Sequence, residues 1–265
     1  MSDDAKVLKI ELPDLVNKTL EPVATSIGVT LSDIWNGVFG GLSLWSEKKS
    51  LERSQNLEEY KRQLELKLSQ ISEENLQEPK VSIVGPAIEA SKYYFESKEY
   101  REMFSNLIAS ASNKTMIGSV HTSFTDIIKQ LEPNDAVLLK NLMIHQIGFS
   151  LRFPVVRLKK ILNNNSEDYI DKNFTIFDDS DESHLMNDFS IENLIRLNLI
   201  SISYDAWFTN SDLYTPIESK PFIKAAKTKV EQSLVPNQTV NFSHGYGIIT
   251  TYGMAFIKVC LSNPE

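Results

Sequence analysis

Hydrophobic side chains recur at helical spacing along much of the first 162 residues. The clearest apolar stripe, with steps of three or four positions and charged residues between its members, consists of Leu57, Tyr60, Leu64, Leu68 and Ile71. This spacing places all five side chains on one face of a helix that we expect over 42–71. The stripe covers only about two heptads, so it favours packing against a neighbouring helix of the same chain, with a dimer seam as the alternative.

Four shorter segments repeat the helical pattern. They are PAIEASKYYFES from Pro86, REMFSNLIASAS from Arg101, HTSFTDIIKQL from His121 and PNDAVLLKNLM from Pro133. The two prolines stand near predicted helix starts, where the fixed φ and the missing N–H of proline cost least. Short helices joined by short turns predict a compact α-bundle, and we assign residues 1–162 to one helical domain.

The pattern changes after residue 162. Residues 163–188 are predicted to be an acidic loop or linker, because 163–184 hold seven acidic residues and one basic residue. Residues 189–265 predict a helix, the strand LISIS, a second helix, a β-hairpin that turns at HGYG, and a closing helix. This order resembles a winged helix, and strands are expected only beyond Asp171.

The predicted fold class is therefore mainly α, with helix exceeding strand more than threefold. An N-terminal helical hairpin and a helical bundle are followed by a small C-terminal α/β part that is winged-helix-like.

The segment Pro22–Ser46 stands out because Asp33 is its only charged residue. One interpretation is a membrane-active helix with tryptophan at the lipid boundary. The other is a buried helical hairpin in which glycines let two backbones approach. We expect the buried hairpin, since Asp33 and the scattered Ser and Thr residues oppose insertion into lipid. The candidate interaction or membrane residues are Trp35, Gly37, Phe39, Gly41 and Trp45.

Composition narrows the class of protein. The chain has 265 residues, a single cysteine and a net charge of −8. One cysteine excludes an internal disulfide and any zinc site built from several cysteines. The first residues are charged and lack an apolar stretch, so we expect no secretory signal. A cytoplasmic location is predicted, with peripheral attachment to the inner membrane, without a resting transmembrane span, as the alternative.

The sequence contains no catalytic signature. Neither a nucleophile elbow nor a phosphate loop is present, and no two of the four histidines are spaced to share a metal on one helix. We therefore predict no enzyme activity, no cofactor and no metal. His121 is the candidate functional histidine, and the alternative is that it fixes the start of the following helix by hydrogen bonding.

Charge argues against nucleic acid as a partner. Residues 189–265 hold six basic and six acidic side chains, whereas a DNA-binding domain normally has a basic face. Four of the six basic residues cluster within ten positions, namely Lys220, Lys224, Lys227 and Lys229. We expect at most weak binding that is sensitive to salt.

Several ordered blocks resemble the bacterial Abi-alpha (abortive infection alpha) family. They are ISEENLQEP, SIVGPAIEASKYY, REMFSNLIASA and VHTSFTDIIKQLEPNDAVLL, with DIWNGVFGGLSLWSEKK before them and ENLIRLNLISI and ITTYGMAFIKVC after them. The resemblance covers most of the chain but not 163–184. It implies a role in phage resistance, in which infected cells stop growing or die, and it brings no catalytic residues with it.

We therefore expect a non-enzymatic component of phage defence that acts by contact with an unknown protein partner, with self-association as an alternative. Two other hypotheses stay open. One is an effector that disturbs membranes through residues 22–46, and the other is a winged-helix regulator that binds nucleic acid.

Overall fold

The computed structural model describes residues 22–40, 47–145, 147, 151–162 and 166–262. Their helices and strands, in chain order, are α1 (Pro22–Phe39), α2 (Glu47–Ser69), α3 (Val81–Ser91), α4 (Lys98–Ala111), α5 (Phe124–Gln130), α6 (Pro133–Ile144), β1 (Arg152–Ile161), β2 (Glu167–Phe174), α7 (Asp181–Arg196), β3 (Ile200–Ser203), α8 (Thr215–Glu218), α9 (Pro221–Glu231), β4 (Thr239–Ile249) and α10 (Thr251–Phe256). A π-helical turn, Ile257–Leu261, follows α10. Among these residues α-helix exceeds strand more than threefold, which confirms the mainly α prediction.

Two compact units divide the chain. The first contains 1–130 and 255–265, and the second contains 131–254. The predicted domains instead had boundaries at 162 and 188. The two divisions differ because α6 packs against α7, and because the C-terminal turn packs against α4.

The first unit is built around α4, whose residues from Met103 to Ala111 are all buried. Helices α2, α3 and α5 pack against α4, as does the π-helical turn. Two buried side chains of α4 hold that turn, because Asn106 Nδ2 donates to the carbonyl of Cys260 at 2.9 Å and Ser110 Oγ donates to that of Val259 at 3.1 Å. Burial raises the pKa of the Cys260 thiol well above its ordinary value.

The second unit is built on a four-stranded antiparallel sheet with the strand order β2-β1-β4-β3. One sheet face packs against α8 and α9 and supplies the main core of this unit. The buried members of that core are Val156, Leu158, Phe174, Tyr214, Ile217, Ile223 and Val240. Helix α7 packs against β2, β3 and α6.

Two strand predictions need correction. Strands were expected only beyond Asp171, yet β1 begins at Arg152 and β2 at Glu167. The segment 163–188, predicted to be a loop or linker, contains β2 and the first half of α7. The acidic side chains of Glu167 and Asp168 do not prevent a strand here, because β2 is an edge strand and both residues are exposed.

The predicted hairpin at HGYG is also wrong. Residues Thr239–Ile249 form one continuous strand, β4, which pairs with β1 from Thr239 to Ile248. Its glycines serve close packing rather than a turn. A Cβ atom on Gly247 would lie 2.1 Å from the ring of Phe153, and one on Gly245 would lie 2.5 Å from the carbonyl oxygen of Ser203. The winged-helix-like arrangement that rested on this hairpin is not confirmed.

Candidate interaction surface

Helix α7 begins with a strong start signal. Ser180 is the N-cap residue, and its hydroxyl accepts a hydrogen bond from the backbone N–H of Ser183 at 3.1 Å. The Ser183 hydroxyl in turn accepts from the backbone N–H of Ser180 at 2.9 Å, which completes a capping box. Asp181 and Glu182 occupy the first turn, where negative charge stabilises a helix.

Three large apolar side chains are exposed on the outer face of α7. Leu185, Met186 and Phe189 are 56%, 50% and 65% exposed, and we call these three residues the α7 band. The opposite face of the helix is buried through His184, Ile191 and Leu194. Solitary exposed apolar residues are ordinary, but a cluster of large ones on one face is typical of a contact surface.

A groove of about 360 Å³ runs beside the α7 band. Its walls come from α6, from α7 and from the loop that precedes α7. The lining residues include Val137, Leu138, Asn141, Ile176, Phe177 and Met186. Val137 is half exposed, so the apolar surface extends across the groove onto α6.

Polar contacts fix the two walls of the groove. Asn134 Nδ2 on α6 donates to Ser190 Oγ on α7 at 2.9 Å, and Asn193 Nδ2 on α7 donates to Asp135 Oδ2 on α6 at 2.7 Å. Each wall therefore keeps its place without needing a bound partner, and a preformed surface loses less entropy on binding.

The acidic segment contributes a second anchor. Asp178 is fully buried, and its carboxylate accepts from Thr175 N at 2.5 Å and from Asn187 Nδ2 at 2.8 Å. Asp179 pairs with Lys220 at 2.5 Å. These carboxylates hold the entrance of α7 in place, a role that the excess of acidic residues did not indicate.

Three of the candidate residues of 22–46, namely Trp35, Gly37 and Phe39, belong to the described helix α1 of the first unit. Trp35 is fully buried, with its ring centroid 4.4 Å from that of Phe39 and 5.1 Å from that of Tyr60. Phe39 is 5% exposed and also meets Phe95 edge to face. Both candidate aromatic residues therefore belong to a helical core.

The glycines of 22–46 were expected to let two backbones approach each other. Gly37 is exposed, and within the described part of the chain a Cβ atom added to it would meet nothing within 4 Å. The described residues therefore give no sign of the close packing that was expected at Gly37. Gly41 and Trp45 lie outside the described residues, as does the expected turn of the hairpin. Within the described part of the chain, no helix combines the length and the apolar character that crossing a membrane requires.

His121 lies just before α5 and is exposed. Its Nδ1 accepts from the backbone N–H of Ser123 at 3.2 Å and lies 2.6 Å from the hydroxyl of the same residue. The carbonyl of His121 accepts from the backbone N–H of Phe124, the first residue of α5. These contacts are the ones expected if His121 fixes the start of the helix.

The lysine cluster does not form one uniform patch. Lys220 donates to Asp179 and to the carbonyl of Ile176, and Lys227 lies 4.9 Å from the ring centroid of Phe242 and 3.9 Å from Glu231. Lys224 and Lys229 are exposed on α9.

His244 and Glu218 form a polar cluster that the sequence did not indicate. His244 Nε2 on β4 lies 2.5 Å from Glu218 Oε1 on α8, and both side chains are a little under one-third exposed. The His244 ring stacks on buried Tyr214 at 3.9 Å, and burial raises the pKa of the Tyr214 hydroxyl. No local motif reveals this pair, since 26 positions separate its members. Searching the described residues for groups of three or more potential metal ligands finds none.

The family comparison agrees with the resemblance noted from the blocks. The model of the abortive infection alpha family matches residues 52–260. The chain belongs to this family. The match spans all of α7, the groove and the sheet, whereas α1 precedes it. No curated protein and no solved structure matches the chain.

Proposed function

We propose that this member of the abortive infection alpha family acts in bacterial defence against phage by contact with a protein partner, without catalysis, and that the α7 band is its contact surface. The observation that carries the proposal is the exposure of Leu185, Met186 and Phe189 beside a preformed groove. Aromatic and methionine side chains are enriched in protein interfaces, because they bury a large apolar area.

The groove suggests how the partner engages. The groove between α6 and α7 is lined by apolar side chains, including Val137, Leu138 and Met186, and by asparagine and serine residues of the two helices. An amphipathic helix of a partner fits such a groove with side chains at positions i, i+3 or i+4, and i+7. Met186 belongs both to the α7 band and to the groove lining, and the exposed Phe189 ring would contact the same partner beside the groove. A few large apolar side chains of this kind contribute most of the binding energy of an interface.

The test is a Phe189→Ser variant in cells that express the protein and are challenged with phage. We expect protection to fall sharply while the soluble yield and the thermal midpoint stay near those of the wild type. Tyr93→Ser is the matched control, because Tyr93 is an aromatic residue that is 75% exposed and lies outside the α7 band. Full protection by Phe189→Ser would refute the proposed surface.

A photo-crosslinking residue at position 189 identifies what is bound. A crosslinked product of twice the chain mass would assign the surface to self-association, and a product with another protein would name the partner. The same residue at position 93 should give no such product.

The non-enzymatic part of the proposal is tested separately at His244. The His244–Glu218 pair is the arrangement among the described residues that most resembles an acid–base dyad. We expect His244→Gln to keep phage protection. A folded His244→Gln variant without protection would instead indicate catalysis.

The membrane alternative requires α1 to leave its core. Exposing Trp35 and Phe39 to water would cost about 1.5–3 kcal/mol each. Insertion would have to follow a trigger that offsets this cost, and a liposome-leakage assay with and without phage components measures whether it occurs.

A further inference from the structure

The sheet of the second unit carries an arginine between two tyrosine rings. Arg157 on β1 pairs in register with Ser243 on β4, while its neighbours Val156 and Leu158 point into the core on the other face. The guanidinium carbon of Arg157 lies 3.8 Å from the ring centroid of Tyr169 and 4.1 Å from that of Tyr204. Both flat faces of the guanidinium are therefore covered, and only its edge is open.

Hydrogen bonds hold both tyrosine walls in place. The Tyr169 hydroxyl donates to Glu167 Oε2 at 2.8 Å, and Glu167 Oε1 accepts from Lys159 Nζ at 2.8 Å. The Tyr204 hydroxyl accepts from the backbone N–H of Asn173 at 3.0 Å. A guanidinium stacked between two fixed rings has little rotamer freedom left to lose.

Gly245 makes room for the second wall. A Cβ atom at this position would lie 2.6 Å from Cδ1 of Tyr204, a distance that side chains do not tolerate. Gly245, the first glycine of the HGYG segment, is therefore needed because the Tyr204 ring lies against β4 at this position.

The two terminal nitrogens of the Arg157 guanidinium are available to donate hydrogen bonds to a ligand. Its Nε donates to Ser243 Oγ at 3.3 Å, but neither terminal nitrogen donates to any acceptor within the described residues. The nearby carboxylate of Glu167 pairs with Lys159 instead.

We propose that Arg157 binds the phosphate group of a small ligand through its two terminal nitrogens. A planar guanidinium matches two oxygens of a phosphate with parallel hydrogen bonds, and stacking between the tyrosines preorganises it for that contact. Tyr169 is 49% exposed, so its outer face is available to a flat ring attached to the phosphate. This site is distinct from the α7 band, and it does not depend on the proposed function.

The wild-type protein provides the direct test. The Nε–H resonance of Arg157 is followed by NMR while inorganic phosphate, adenosine monophosphate or acetate is added at constant ionic strength. We expect both phosphate compounds to shift this resonance in a saturable way, and acetate to bind more weakly. Tighter binding of adenosine monophosphate assigns the phosphate to a nucleotide, and equal binding assigns it to the free ion. A resonance that phosphate does not move, or moves no more than acetate does, overturns the proposal.

An Arg157→Lys variant supplies the second measurement. Lysine keeps the positive charge but lacks the planar fork, so we expect phosphate affinity to fall about tenfold or more. Arg196→Lys on α7 is the matched control and should bind phosphate like the wild type. Wild-type affinity in Arg157→Lys would also overturn the proposal.

Discussion

Helices α1 and α7 differ in how far their large apolar side chains are exposed to solvent. In α1, where Asp33 is the only charged residue, Ile27, Leu31, Trp35 and Phe39 are all buried. In α7, which starts with two acidic residues, the three residues of the α7 band are at least half exposed. The more hydrophobic helix therefore buries its aromatic residues, although Val29 is 56% exposed, and the more polar helix exposes Phe189.

The arrangement of apolar positions explains this difference. The four buried residues of α1 follow one another at steps of four and form one stripe, whose aromatic members contact Tyr60 and Phe95. Helix α7 instead has apolar residues on two opposite faces, and packing against the sheet and α6 buries only one of them. The candidate contact surface is the face that remains.

The largest expected effect comes from removing the central side chain of α1. Trp35→Ala leaves a cavity in a closely packed aromatic cluster, so we expect the free energy of unfolding to fall by about 3–5 kcal/mol. Urea denaturation followed by circular dichroism measures this loss.

The matched change on α7 is Phe189→Ala. This ring is largely exposed, and we expect a change in unfolding free energy within about 0.5 kcal/mol. Similar losses for the two variants would contradict the comparison, because they would mean that the α7 band is buried.

How far the sequence predicts the fold depends on whether one face or two faces of an element are buried. The helical stripe of α2 was predicted because its apolar members lie on one face. Four of the five residues belong to α2, Ile71 follows its end at Ser69, and all five are buried. Strand β1 gave no signal, since Val155 and Val156 are both fully buried and break the alternation of apolar and polar residues. Strand β4 was divided into a hairpin because the local sequence of Gly245 and Gly247 is also typical of a turn.

The candidate surface, too, could be predicted from the sequence only in part. An amphipathic pattern predicts which side chains of a helix can be buried together, but not which face meets a neighbour. The α7 band and the stacked Arg157 both depend on contacts between distant positions, such as the pairing of β1 with β4. By contrast, the burial of Trp35 was expected from the sequence, because Asp33 and the scattered hydroxyl residues opposed membrane insertion.

The second effect tests the start of α7. Ser180→Ala removes the hydroxyl that caps the helix, and we expect a loss of about 0.5–2 kcal/mol in the free energy of unfolding. Ser180→Asp is the control, because a carboxylate can accept the same hydrogen bond. If both variants lose the same stability, the cap does not explain how α7 is held.

The third effect has the opposite sign and concerns the exposed face of α1. Gly37→Ala should stabilise the protein by about 0.4–1 kcal/mol, because alanine limits the unfolded chain and its Cβ meets open space. Thermal denaturation measures the gain. Gly253→Ala is the contrasting control, since its Cβ would lie 2.0 Å from the carbonyl oxygen of Leu199 and should destabilise. A loss of stability in Gly37→Ala would instead support the prediction that another backbone packs closely against Gly37.

The smallest effect concerns the polar surface of α2, a helix of the same unit as α1. The pKa of Glu59 is lowered from 4.5 to about 2, chiefly by the hydrogen bond from Arg62, whose side chain is 63% exposed. Because the folded-state pKa is depressed, the stabilisation is present above pH 4.5 and is lost as the pH falls toward 2. Solvent screens this pair, so we expect it to contribute only about 0.2–1 kcal/mol. In Arg62→Gln the pKa of Glu59, followed by NMR, should rise toward 4.5, with a smaller rise in Gln63→Ala. A loss of several kcal/mol in Arg62→Gln would show that exposed polar contacts stabilise this unit as strongly as the buried ring of Trp35 does.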